Sequence, residues 1–186
     1  MKTAVLWVVM VSVLHGLGRS GTAAEPPVAR KPNGFRVRSI DCRQGQYQLI
    51  LGPRFDSRKS WVLNCDFAIS AFEDEQRCLF IWSDPRPGRD PIVLRLVGAR
   101  LDGMICDART NETQTISAPL GKDVFGRWVK AVLCYDAQKK VLELWLDGAL
   151  AAMEKATLVP IADRPMPTYC ERFEGRIREI SLGNAP

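Results

Sequence analysis

Carboxylates are the side chains most able to perform chemistry in this sequence of 186 residues. Hydrolysis of a glycosidic bond with retention needs two of them about 5 Å apart, one as acid and one as nucleophile. The run Glu73-Asp74-Glu75 is contiguous and lies in a predicted turn, so its side chains would not converge. Glu143 and Asp147 share a strand face but stand four residues apart, too far for direct pairing. The sequence therefore predicts no catalytic residue.

A hydrophobic N-terminal segment holds the single histidine of the chain, His15. Residues 1–24 combine Lys2, an apolar run over 4–14 and small residues at 22–24, which is typical of a signal peptide for export. The alternative is a membrane anchor, which would need about 20 apolar residues. Cleavage after Ala24 lowers the formal net charge from +5 to +3 and leaves no histidine. The mature chain then cannot form a Ser-His-Asp set, a histidine-ligated zinc site or a histidine pH switch.

Residues 84–91 are the stretch best placed to expose cationic side chains. Three prolines keep them out of a strand interior, so Arg86 and Arg89 should lie in an exposed loop. Arginine binds acidic polysaccharides through paired charge-assisted hydrogen bonds. These two arginines are therefore the candidate ligand-binding residues, with solubilising surface arginines as the alternative. A mature charge of +3 gives no basic stripe of the kind that nucleic-acid-binding proteins show, so we expect no nucleic-acid partner.

Six cysteines fall within the mature chain, at positions 42, 65, 78, 106, 134 and 170. An even number in an exported protein favours disulfide bonds, although the pairing does not follow from the sequence. No Cys-x-x-Cys spacing occurs, so neither a zinc site nor a redox motif is indicated. Cys134 lies within a predicted strand and is equally suited to be a small buried side chain with a free thiol.

Two alternating stretches carry the strongest structural signal. In residues 128–135 and 141–146 apolar side chains recur at every second position, which is the period of a half-buried strand. Five polar residues, 136–140, join the two, and Asp147-Gly148 then predicts a tight turn into a third strand. One face of each strand should face the core, formed by Val129, Ala131, Leu133 and Tyr135 and by Leu142, Leu144 and Leu146.

Further strands are predicted along the rest of the chain, at 35–40, 61–72, 78–83, 92–97 and 100–108. The second and third of these should form a hairpin closed by an acidic loop. The last two should form another, followed by a polar loop over 109–114. Short strands at regular spacing, with no helical periodicity, predict an all-β antiparallel sandwich. Residues 25–34 are predicted as a proline-rich lead-in and residues 35–186 as one domain.

Three motifs add a family resemblance to this pattern. W-x6-Y-D over 128–136, followed by L-x-L-W-L-D-G-x-L over 142–150, resembles the hairpin of laminin-G-like, concanavalin A-like jelly-roll domains. F-x-G-x-I-x-E-I over 173–180 resembles their closing strand, and residues 65–72 are similar to an early inner strand. The resemblance implies a jelly roll whose first and last strands lie side by side. It implies no particular activity, because the superfamily holds lectins, carbohydrate-binding modules, glycosidases, lyases and adhesion domains.

The same resemblance suggests two further expectations. Many relatives bind calcium in loops at the sandwich rim, and Asp102 and Asp107 are the candidate ligands here, with turn-forming residues as the alternative. If the terminal strands are adjacent, a bridge between Cys42 and Cys170 would tie them together and is the first pairing to test.

The leading functional hypothesis is an exported, non-catalytic, lectin-like module for carbohydrate or another extracellular ligand. It would act outside the cell, in the periplasm or at the cell surface, with no membrane span after cleavage. The alternatives are a structural or protein-interaction domain without a sugar site, and a small polysaccharide hydrolase or lyase.

Overall fold

The structure, a computed structural model, describes residues 33–42, 47–49, 55–82, 89–161, 168–170 and 173–185. The predicted signal peptide lies outside these ranges, as does most of the predicted lead-in. The first strand begins at Asn33, within that lead-in. None of the helical segments in the described ranges has the length and apolar character needed to span a membrane.

The described residues form an all-β antiparallel jelly-roll sandwich of two six-stranded sheets, as the sequence predicted. In the first sheet the strands lie side by side in the order β1 (Asn33–Asp41), β12 (Arg176–Asn184), β3 (Trp61–Ala68), β8 (Val129–Asp136), β9 (Val141–Leu146) and β10 (Ala149–Lys155). In the second sheet the order is β2 (Tyr47–Leu49), β11 (Thr168–Cys170), β4 (Gln76–Trp82), β5 (Ile92–Val97), β6 (Arg100–Asp107) and β7 (Glu112–Pro119). A short 3-10 turn, Lys122–Val124, precedes β8.

The two ends of the domain meet in the first sheet. β1 pairs with β12 in antiparallel register, with Phe35 opposite Leu182 and Ile40 opposite Ile177. The adjacency of first and last strands that the resemblance implied is therefore present.

The connection between β3 and β4 differs from the prediction. These strands do not form a hairpin, because β3 pairs with β12 and β8 in the first sheet, whereas β4 pairs with β5 and β11 in the second. The acidic segment between them crosses from one sheet to the other. The alternation of apolar and polar residues predicts both strands correctly. It does not show whether the second strand pairs with the first in one sheet or lies in the opposite sheet. The predicted loop over 109–114 is also shorter, since β7 begins at Glu112.

The β8-β9-β10 meander matches the prediction. Asp147 and Gly148 adopt φ values of 50° and 85°, the left-handed conformation that a type I′ turn requires. The predicted core face of β8 is almost fully buried, and Leu142 and Leu144 of β9 are completely buried. Leu146 is partly buried against the same core.

A second apolar cluster covers the outer face of the first sheet. Val62, Val132, Cys134 and Trp145 pack together there, and Val132 is only 1% exposed. β8 is therefore buried on both faces, which leaves Lys130 and Asp136 as its partly exposed positions.

Candidate functional site

A row of polar side chains crosses the outer face of the second sheet. Arg95 on β5 stands opposite Asp102 on β6, and Asp102 stands opposite Ser117 on β7. Their neighbours along each strand point into the core, so alternation turns these three outward. Arg100, two residues before Asp102, shares their face. We call Arg95, Arg100, Asp102 and Ser117 the charged row.

Asp102 is the centre of the charged row. Its Oδ1 accepts hydrogen bonds from Arg100 Nε at 2.6 Å and from Ser117 Oγ at 2.8 Å. Its Oδ2 accepts one from Arg100 Nη2 at 3.1 Å, and Arg95 Nε lies 3.5 Å from the same oxygen. The Asp102 side chain has no solvent exposure, although it stands on an outer face. A buried carboxylate therefore holds two guanidinium groups side by side.

The arginines of the row remain accessible while Asp102 does not. The side chain of Arg100 is 50% exposed and that of Arg95 is 22% exposed. Arg95 Nη1 also donates to Gln76 Oε1 at 3.1 Å, which fixes the far end of its guanidinium. The hydrogen bonds and negative charge of Asp102 raise the pKa of Arg100 above its ordinary value, so this guanidinium stays charged at any physiological pH.

An apolar cluster borders the charged row on the same face. Cys78, Ile81 and Val93 pack together with the partly buried Met104, and Val93 stands opposite Met104 one row along. Such a border lowers the local dielectric and strengthens the electrostatic interactions of the adjacent arginines.

This arrangement is suited to binding an oxyanion or a hydroxyl group. A guanidinium has five N–H donors in a planar fork, and Asp102 uses two of those on Arg100. The carboxylate itself is enclosed, so the groups that a ligand can contact are the two guanidiniums and the exposed Ser117. Because Asp102 fixes the forks in advance, a bound group would not have to order them.

The structure describes one of the two predicted arginines, Arg89, which bonds to the backbone near the end of β6. Arg89 Nη1 donates to the carbonyl oxygen of Ala108 at 3.1 Å, so Arg89 ties the segment before β5 to the turn after β6. Arg86 lies outside the described residues. Ligand binding by Arg86 and Arg89 stays a prediction.

Asp102 and Asp107, the predicted calcium ligands, do not converge. They are five residues apart on β6, about 17 Å along a strand, and Arg109 pairs with Asp107 at 2.8 Å. The Arg109 guanidinium holds the pKa of Asp107 below its ordinary value, although burial opposes this. In the described ranges no three His, Cys, Asp or Glu side chains are grouped closely enough to hold a metal ion. A calcium site at these residues stays a prediction without further support.

No disulfide joins any two of the five cysteines whose side chains the structure describes, Cys42, Cys65, Cys78, Cys106 and Cys134. The side chain of Cys170 is outside the described part, so its bridge to Cys42 stays a prediction. Cys134 is a buried free thiol, one of the two alternatives that the sequence left open. Burial, followed by the nearby Glu143, raises its pKa to about 12. Burial raises the pKa of Cys65 in the same way, with smaller contributions from Asp66 and Cys42.

Sequence reasoning singled out Asp102 but missed Arg95, Arg100 and Ser117. A signal was present, because Arg95 interrupts the apolar run Ile92–Val97, and Arg100 and Asp102 flank Leu101. Period two places Arg100 and Asp102 on one strand face. The signal does not show that three strands bring these side chains together, since that depends on register.

Comparison with known proteins identifies the fold. No family model and no curated protein matches the sequence, but solved structures match most of the chain. A structure of NanB with optactamide has a TM-score of 0.67 at 17% identity and matches 82% of this chain. The Ruminococcus gnavus IT-sialidase CBM40 bound to α2,3-sialyllactose has a TM-score of 0.61 at 14% identity over 80% of it. The binding domain of botulinum neurotoxin DC in complex with SialylT has a TM-score of 0.61 at 10% identity over 88%. This chain has the β-sandwich fold of these structures.

The matched structures differ in how much of them this sandwich represents. The chain spans 26% of NanB and 41% of the neurotoxin domain, but 90% of the CBM40 chain. At these identities the likeness establishes the fold alone, and the charged row has to be judged by its own chemistry.

Proposed function

We propose that this chain is a carbohydrate-binding module and that the charged row binds an acidic sugar. The observation that carries the proposal is the pair of guanidiniums, Arg95 and Arg100, held on an open sheet face by the buried Asp102. A carboxylate on a sugar can accept two parallel hydrogen bonds from such a fork. Ser117 and Gln76 are exposed beside the arginines and can bond to sugar hydroxyl groups.

The matched structures support this choice of ligand class. Two of them hold sialylated ligands, α2,3-sialyllactose in the CBM40 and SialylT in the neurotoxin domain. The neurotoxin domain matches 88% of the present chain and the CBM40 matches 80% of it. Sialylated glycans are therefore the first ligands to test. Export, a non-catalytic role and membership of the laminin-G-like group belong to the same proposal.

Calorimetric titration of residues 25–186 with α2,3-sialyllactose, with lactose as the neutral matched sugar, tests the proposal. We expect sialyllactose to bind and lactose to bind much more weakly. Replacing Arg100 with Gln should weaken binding by about 10- to 100-fold, because a charged hydrogen bond contributes roughly 1.5–3 kcal/mol.

A matched control comes from the same chain. Arg58 also bonds Asp56 two residues away through Nε and Nη2, but it lies in the segment before β3. Arg58→Gln should leave the affinity unchanged. Equal binding of sialyllactose and lactose would remove the acidic-sugar claim. No binding by either sugar, together with an empty glycan array, would overturn the carbohydrate function itself.

A protein-interaction role is the second candidate. Leu150 and Met153 are 45% and 59% exposed, and both lie on β10, the edge strand of the first sheet. An edge strand with exposed apolar side chains is a typical protein-binding surface. If the glycan array is empty, pull-down with wild type against a Leu150→Lys, Met153→Lys double variant is the informative experiment. Loss of a captured partner in the variant would favour this role.

A further inference from the structure

A cleft at one rim of the first sheet is separate from the charged row. Its walls come from the end of β3, from the turn before β8 and from the start of β12, which places Ser70, Gly126, Glu174 and Arg176 around it. Its volume is about 560 Å³, within the range of small-molecule sites in proteins. We call this space the rim cleft.

Two glycines fix the walls of the rim cleft. A Cβ on Gly175 would lie 2.6 Å from the carbonyl oxygen of Ala68, so only glycine lets β12 start this close to β3. Gly126 adopts a φ of 73°, and its N–H donates to the carbonyl oxygen of Ile69 at 3.0 Å. The shape of the cleft is thus a consequence of backbone geometry.

Arg176, which lines the rim cleft, lies against a neighbouring aromatic ring. Its guanidinium carbon is 5.4 Å from the centroid of the half-buried Trp128, within the range of a cation–π contact. In the sheet Arg176 stands opposite Ala68, and Trp128 directly precedes β8, the strand that pairs with β3 on its other side. The indole therefore restricts the orientation of the guanidinium.

Arg176 and the neighbouring Arg178 differ in whether a carboxylate neutralises their charge. Arg178 also contacts Trp128, at 4.9 Å, but it pairs with Asp66 at 2.8 Å. No carboxylate in the described part of the chain pairs with Arg176, whose side chain is exposed. The hydrogen-bond donors of Arg176 can therefore bind another partner. Glu174 and Ser70, on the same cleft, supply hydrogen-bond acceptors and a hydroxyl group.

We propose that the rim cleft is a second binding site, for a small hydroxylated carboxylate such as a uronic acid. Arg176 would bind the carboxylate with its fork, while Glu174 and Ser70 would bond to hydroxyl groups. The hydroxyl groups of a sugar acid can donate hydrogen bonds to the carboxylate of Glu174, whereas sulfate has no such groups and is only repelled by it. The site should therefore bind a sugar acid more tightly than inorganic sulfate. The site does not depend on the charged row, which lies on the other sheet.

NMR titration of the folded chain with D-glucuronate tests this site, and D-glucose and sodium sulfate serve as comparisons. Ionic strength is matched with sodium chloride throughout. The observed signals are the indole N–H of Trp128, assigned with Trp128→Phe, and the Nε–H of Arg176. We expect saturable shifts of both signals with glucuronate, small shifts with glucose and weaker binding of sulfate.

Three variants make the result specific. Arg176→Gln should weaken glucuronate binding at least about tenfold. The affinity of Arg176→Lys should lie between that of Arg176→Gln and that of wild type, because lysine keeps the positive charge but lacks the planar fork of donors. Arg100→Gln should leave these shifts unchanged, so loss of the charged-row function would not affect this result. Because Arg176 is exposed, unchanged signals elsewhere in the spectrum will show that its variants fold. Equal shifts with glucuronate, glucose and sodium chloride, or shifts retained in Arg176→Gln, would overturn the proposal.

Discussion

Replacing Asp102 by asparagine removes the charge around which the charged row is built, with almost no change in shape. The native carboxylate accepts three hydrogen bonds within 3.1 Å, two from Arg100 and one from Ser117. The amide keeps one acceptor oxygen but turns an NH₂ group toward the arginines. At least one N–H of Arg100 would then face another donor, and Arg95 would lose its counter-charge.

The loss of unfolding free energy in this variant can be bounded from the burial of Asp102 and Arg100. Breaking a fully buried ion pair costs about 3–5 kcal/mol, because the remaining charge is left without a partner. Exposed pairs are worth about 0–1 kcal/mol. Asp102 is fully buried, but Arg100 is half exposed and can regain water, so we expect a loss of about 2–3 kcal/mol of unfolding free energy. For a domain of this size that corresponds to a fall of about 5–10 °C in Tm.

Urea and thermal unfolding of the purified chain measure this loss. Asp66→Asn is the matched control, since Asp66 lies on the outer face of the first sheet and pairs with Arg178, which is 55% exposed. The control should lose less than about 1 kcal/mol. The Asp102 variant should also bind sialyllactose more weakly, because Arg100 is no longer fixed. If Asp102→Asn costs no more than Asp66→Asn, Asp102 does not organise the charged row as argued.

Three further predictions follow from burial and charge. Val132→Asp should prevent folding by burying an unpaired charge, whereas Val159→Asp, at a position 42% exposed, should change stability by less than about 0.5 kcal/mol; soluble expression and circular dichroism distinguish them. Gly103→Ala should cost about 1–3 kcal/mol in urea unfolding, because its Cβ would overlap the Leu133 side chain across the core, and an unchanged midpoint would mean that the sheets can move apart. The pKa of Asp107 is lower in the folded protein than in the unfolded chain, so its ionised form stabilises the fold above the ordinary carboxyl pKa, and this stabilisation is lost as the pH falls through the lowered pKa. Asp107→Asn should therefore flatten the acid limb of a plot of Tm against pH. An acid limb as steep as that of wild type would contradict this.

Much of the fold could be predicted because its signals are local. The alternation in β8 and β9 identified their core faces, and Asp147-Gly148 identified the turn into β10. The error at β3 and β4 has the opposite character. Both strands were recognised, but their assignment to one hairpin was wrong because sheet membership depends on partners far away in the chain.

The candidate site was less predictable for the same reason. The family resemblance suggested Asp102 as a calcium ligand, and its partners in the structure are two arginines and a serine. Trp128 was noted only as part of a family motif, and its contact with Arg176 was not predicted.

The sequence by itself determined the all-β class, the antiparallel strands and the face that each of the best-defined strands turns to the core. These follow from period two and from turn residues, which act within a few neighbouring positions. Only the tertiary structure decided which strands share a sheet, and so which side chains meet. Register between strands places Arg95 and Ser117 on either side of Asp102, and the packing of β12 beside β3 and β8 brings Arg176 within reach of Trp128. Both candidate sites depend on such pairings between distant parts of the chain, which no local pattern specifies.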